Sequence, residues 1–170
     1  IAVLQYFGQA QVLGQWASHT EMGEAFGNLR QRNQFASLTS IGLLALLWQV
    51  AQWRPDAAAT AAAPSTPRAM HWTAWLVCST LLALGNAASG SRTGLLQWCL
   101  VAVLLAVWWR RMPRRAMAMG LGTIALYLLA IRVLPWLLEV STGFHAAGLM
   151  GRFNEDVGCS SRRVLWATAR

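Results

Sequence analysis

The chain has 170 residues, 56% of them hydrophobic and only 12% charged, with ten Trp and a mean hydropathy of +0.39. Soluble domains carry about a quarter charged residues, so this composition points to a membrane protein and away from a soluble enzyme. The net charge of +8 comes from 14 basic residues, all Arg; they alternate with long apolar runs and build no solvated basic face, which argues against a nucleic-acid partner.

In chain order, residues 1–34 form a segment outside the membrane, 35–138 a core of four spans, and 139–170 the start of a large outer loop. The core contains four apolar runs, 35–53, 72–88, 94–109 and 117–138. A span needs about 17 to 25 residues, so the first, second and fourth qualify, and the third is short but flanked by Trp. The expected fold is an all-α polytopic integral membrane helical bundle with about four transmembrane helices. Because the chain opens on Ile1 and stops at Arg170 in a helical pattern, it reads as a fragment of a longer protein. Cys78, Cys99 and Cys159 show no metal or disulfide spacing, and no metal site is expected.

Arginines orient the spans. The links at 54–71, with its Pro/Ala stretch "PDAAATAAAPSTP", and at 110–116 carry Arg54, Arg68, Arg110, Arg111, Arg114 and Arg115 against Asp56, and are therefore assigned to the cytoplasm. The outer side still holds Arg30, Arg32, Arg92, Arg152, Arg162, Arg163 and Arg170, which orientation does not require.

Three outer stretches could use them. In "AFGNLRQRNQFASLTS", Arg30, Asn33, Ser37 and Ser40 recur at helical intervals and make a polar stripe entering the first span. Such a stripe should face the bundle interior or a wet cavity; the alternative is a helix cap with arginines snorkelling to headgroups. In "SGSRTG", Gly90 permits a tight reversal and Ser91 can cap a helix whose first turn carries Arg92, a setting suited to a phosphate or pyrophosphate. An ordinary hairpin with one headgroup-binding Arg is the alternative there. In "SSRRVLW", Ser160 or Ser161 can cap a helix opening with Arg162 and Arg163, and Trp166 can stack on Arg162 one turn on. Arg132 lies inside the fourth run, where it either snorkels or serves a site. His145 and His19 are outer-side candidates for a base, weighed against ordinary loop histidines.

Together "FGNLRQRNQFASL", "SGSRTGLL" and "SSRRVLW" resemble the O-antigen ligase and Wzy polymerase superfamily, with the Q-x-N element resembling its protein-glycosylation ligase branch, which acts on pilins. The resemblance implies a bacterial inner-membrane, multi-pass glycosyltransferase acting at the periplasmic face. Its donor would be an oligosaccharide on undecaprenyl pyrophosphate, its acceptor a Ser or Thr hydroxyl of a pilin-like protein, with no cofactor and no metal. An O-antigen ligase using lipid A core, or a polymerase, is the neighbouring reading; a lipid-linked glycan transporter or flippase is the rival of another class. By the resemblance Arg92 and Arg162 hold pyrophosphate; Arg163, next to Arg162 in sequence, is a further pyrophosphate candidate without a family counterpart. Gln31 and Asn33 match the pair that meets acceptor or sugar; Arg32, between them in sequence, is a further candidate there without a family counterpart. The catalytic base is expected beyond Arg170, with His145 the candidate inside the chain, so the fragment is expected to be inactive alone.

Overall fold

The computed structural model describes residues 1–29, 31–53, 68–146, 149 and 151. Arg30, Arg54, Arg152, Cys159, Arg162, Arg163 and Trp166 lie outside the described residues, and with them the "SSRRVLW" proposal. Every regular element described is helical: α1 (Ala2–Tyr6), a 3-10 segment (Ala10–Trp16), α2 (Arg32–Gln52), α3 (Arg68–Ser89), α4 (Arg92–Val107) and α5 (Arg114–Thr142).

Each apolar run becomes one helix, and each helix starts on an arginine lying before its run. The backbone continues into the polar flanks because helical hydrogen bonds do not depend on side-chain polarity. By length and composition two of the helices, α2 and α5, could cross a membrane, while α4 is shorter at 16 residues. This supports two spans where the sequence reading expects about four. Only 39% and 44% of the apolar windows of α2 and α5 are buried in the bundle. Outward-facing Leu38, Ile41, Leu44 and Trp48 on α2, and Leu129 and Trp136 on α5, give the bundle an apolar exterior. A surface of that kind suits lipid or further helices better than water.

Successive long helices run antiparallel. The α3–α4 reversal is tight because Gly90 adopts φ +55°, a left-handed conformation that costs a residue without Cβ little, while its N–H donates to Ala87 O at 3.1 Å. Helix α2 packs on α3 and α4, and α5 closes mainly on α3. Leu43, Leu47 and Val50 of α2, Trp98, Val101 and Leu105 of α4, and Tyr127, Leu134 and Leu138 of α5 share the core. Trp98 and Tyr127, both buried, hold their ring centroids 4.4 Å apart. In lipid the apolar surround supplies little drive for helices to associate, so close packing and interhelical hydrogen bonds must supply it.

One bundle end is sealed by aromatics. The Trp53 ring packs edge-on against Trp75, centroids 5.1 Å apart, and Trp72 meets the same Trp75 at 5.2 Å. Arg115 Nη2 donates to Ala51 O at 3.3 Å and to Trp53 O, while its guanidinium carbon lies 5.7 Å from the centre of the Trp53 ring. Arg115 thereby satisfies carbonyls at the end of α2, where the helix dipole favours a cation.

Candidate functional site

The opposite end gathers the starts of α2 and α4 and the end of α5. Residues 1–29 fold over it around one buried side chain, Gln5. Its Oε1 accepts from Gly27 N at 2.8 Å and Phe26 N at 3.3 Å, and its Nε2 donates to Gly27 O at 2.7 Å and Ser18 O at 2.9 Å. All of the amide's bonding capacity is used, which makes burial of a glutamine tolerable. Gly23 N donates to Tyr6 O at 2.9 Å, and Gly23 rests against Leu138, Phe144 and Ala146 at the α5 end. Burial pushes the Tyr6 phenol up to about 12, so it stays neutral at physiological pH.

From this clamp the chain enters α2 through Gln31. Gln31 occupies the N-cap position with extended φ and ψ of −134° and 129°, yet its side chain makes no cap bond. It lies exposed beside a small polar hollow of about 280 Å³ formed with Glu24, Phe26, Arg32 and Asn33. Arg32 Nη1 donates to Glu24 Oε1 at 3.1 Å, half-exposed, a pair worth little stability but enough to orient the guanidinium.

Asn33 reaches across to the next helix start. Its Oδ1 accepts from Ser91 Oγ at 2.8 Å, and that same hydroxyl accepts from Gly94 N at 3.2 Å as the N-cap of α4. Arg92, the next residue, is exposed in the first turn of α4. The Q-x-N element and the Ser-Arg-Thr turn, 58 residues apart at their linking pair, are thus joined by one hydrogen bond. Below it, Gln97 Nε2 donates to Ser37 Oγ at 2.8 Å and Gln97 Oε1 accepts from Ser40 Oγ at 3.0 Å. Ser37 and Ser40 of the stripe therefore face α4 at Gln97, while Asn33, exposed at the outer end, reaches Ser91.

A second polar junction lies behind the stripe. Asn86 Nδ2 donates to Thr39 Oγ1 at 2.7 Å and to Ala36 O at 3.1 Å. Asn86 Oδ1 is buried without a conventional partner, but a Cβ on Gly94 would stand 2.5 Å from it. The hydrogen that occupies that direction on Gly94 faces the oxygen, a weak C–H···O contact that only glycine permits at this spacing.

The other candidates do not converge on this junction. Arg132 is exposed along α5, and His19 is exposed in the loop after the 3-10 segment. His145, just past α5, holds its Nδ1 at 3.2 Å from Glu139 Oε1, both largely solvated. Four residues that sequence reasoning passed over emerge as supports: Gln5, Asn86, Gln97 and Arg115. For Gln97 and Asn86 a signal existed, a lone amide in each of the runs "GLLQWC" and "ALGNAA". Arg115 read only as orienting charge.

No curated protein matches the chain, and no solved structure does. A family model described as protein glycosylation ligase matches residues 25–48. The matched stretch begins just before the Gln5-bound backbone of Phe26 and Gly27, takes in Gln31, Arg32 and Asn33, and ends in α2, so it is this helix entry that is similar to a protein glycosylation ligase.

Proposed function

We propose that the chain is part of a membrane glycosyltransferase that moves an oligosaccharide from undecaprenyl pyrophosphate to a Ser or Thr hydroxyl of a pilin-like protein, at the periplasmic face of the bacterial inner membrane. The observation carrying this reading is the Asn33–Ser91 bond: the segment similar to glycosylation ligases is tied to the helix start that presents Arg92. A helix N-terminus with an adjoining guanidinium favours a diphosphate.

In the transfer, the acceptor oxygen bonds to the anomeric carbon, and the bond from that carbon to the phosphate oxygen breaks with its electron pair. The hydroxyl proton passes to a base. Negative charge grows on the departing diphosphate, and a cation already in place there lowers the barrier without reorganising. Arg92 takes that role, with Arg162 and Arg163 as its partners from the outer loop. Gln31, which spends no side-chain bond on capping, together with the Asn33 amide, serves acceptor or sugar. His145, whose Nδ1 faces Glu139 Oε1, is the base candidate within this chain, although it stands apart from the Asn33–Ser91 junction.

The test uses the full-length gene. Arg92→Ala should lower glycan transfer by about a hundredfold or more while membrane insertion is kept, and Gln31→Ala should impair transfer to protein, both read as the mass shift of the acceptor pilin. Near-normal pilin glycosylation in well-expressed variants would sink the assignment, and loss of glycan from lipid A core in its place would favour the O-antigen ligase reading.

A further inference from the structure

Four arginines crowd the α4–α5 connection and its flank, and only Arg115 is committed to capping α2. Arg110, Arg111 and Arg114 form no ion pair with any carboxylate among the described residues. Trp108 and Trp109, 52% and 62% exposed, stand beside them.

Immediately below this turn a groove of about 610 Å³ runs between α2 and α4. Its walls are apolar, including Leu44, Leu47 and Trp48 on one side and Val101, Leu104 and Trp108 on the other, and Arg111 stands at its mouth. From Leu44 to Ala51 the α2 wall extends about 10 Å along the helix axis. Across the turn a second hollow of about 520 Å³ is bordered by Trp109, Arg110, Arg114 and Leu121. An apolar slot parallel to the helices, with a guanidinium at its end that pairs with no carboxylate among the described residues, matches an amphiphile: a hydrocarbon tail along the groove and an anionic head at its rim.

We propose that this end of the bundle is a binding site for an anionic phospholipid, with an acyl chain between α2 and α4 and its phosphate held by Arg111 at the mouth of the groove. A helix from another protein would fill the apolar walls but leave the guanidinium groups unanswered, whereas a lipid phosphate answers both. The site stands at the end of the bundle opposite Gln31, Asn33 and Arg92 and is separate from glycan transfer. It rests on the reading of the chain as a membrane protein.

The experiment takes the full-length protein purified in detergent and mixes it with phosphatidylglycerol or phosphatidylcholine of identical chains, reading retained lipid by native mass spectrometry. Phosphatidylglycerol should be retained in preference, and Arg111→Gln should reduce that preference by about fivefold, with Arg110→Gln across the turn reducing it less, while phosphatidylcholine retention stays constant. Leu104→Trp, which fills the groove, should reduce retention of both lipids at an unchanged melting temperature. Equal retention of the two lipids, a preference that survives the arginine changes, or displacement of phosphatidylglycerol by inorganic phosphate alone would overturn the site. A chain that alkaline carbonate releases from membranes would instead overturn the membrane reading itself, so the two failures are distinct.

Discussion

Two glycines in this bundle face opposite fates on gaining a methyl group. At Gly94 the new Cβ would lie 2.5 Å from Asn86 Oδ1 and 3.0 Å from Ala36 Cβ; at Gly122 it would meet nothing within 4 Å. Alanine is favoured over glycine in a helix by about 1 kcal/mol, less near the helix start. Against this, overpacking costs about 1 to 3 kcal/mol, and Asn86 would be pushed off Thr39 and Ala36 O. Gly94→Ala should therefore lower stability by about 1 to 2 kcal/mol, while exposed Gly122→Ala should raise it slightly, both read by thermal unfolding of the full-length protein in detergent. Equal effects at the two positions would contradict the close approach at Asn86. Nothing in "SRTGLL" distinguishes Gly94 from any other helix glycine, because the constraint comes from α3.

At the scale of elements, α2 and α4 are held by a polar seam as well as by apolar packing. Interhelical hydrogen bonds in membrane proteins average about 0.6 kcal/mol. A double-mutant cycle of Ser37→Ala and Gln97→Leu should accordingly show a coupling of about 0.6 kcal/mol, and zero coupling would argue that the 2.8 Å contact is not formed. The seam was half legible beforehand. Helical spacing puts Asn33, Ser37 and Ser40 on one face, so the stripe follows from sequence; that Gln97 answers it does not, since side chains 57 and 60 residues apart are matched only by packing. Helix order and the Ser91 cap were also legible, as local chemistry. The Arg115 cap on α2 was not, because charge counting treats every arginine of a link alike.

For the molecule as a whole, the N-terminal segment is a cover held together by Gln5 and resting on the α5 end at Gly23. Replacing it by Leu keeps approximate size but leaves the Gly27 N–H and the carbonyls of Gly27 and Ser18 without their buried partner, each loss costing about 1 to 3 kcal/mol. Such a cost falls on the cover first, since every hydrogen bond of Gln5 lies within residues 1–29. Gln5→Leu is expected to speed hydrogen exchange at the Phe26 and Gly27 amides by about tenfold or more, with exchange in α5 unchanged; uniform loss of protection would mean that cover and bundle unfold as one unit. The sequence reading placed this segment outside the membrane but gave it no fold, because a glutamine among apolar residues signals nothing until the backbone that it binds, 21 and 22 residues away, is known.

The Ser91 hydroxyl has a single proton, given to Asn33, and a lone pair, given to Gly94 N–H. Donation and acceptance through one oxygen reinforce each other, so the two bonds strengthen or weaken together. The start of α4 is therefore thermodynamically linked to the carbonyl of Asn33. Whatever draws that carbonyl away weakens the α4 cap, and by reciprocity whatever tightens the first turn of α4 holds Asn33 in place.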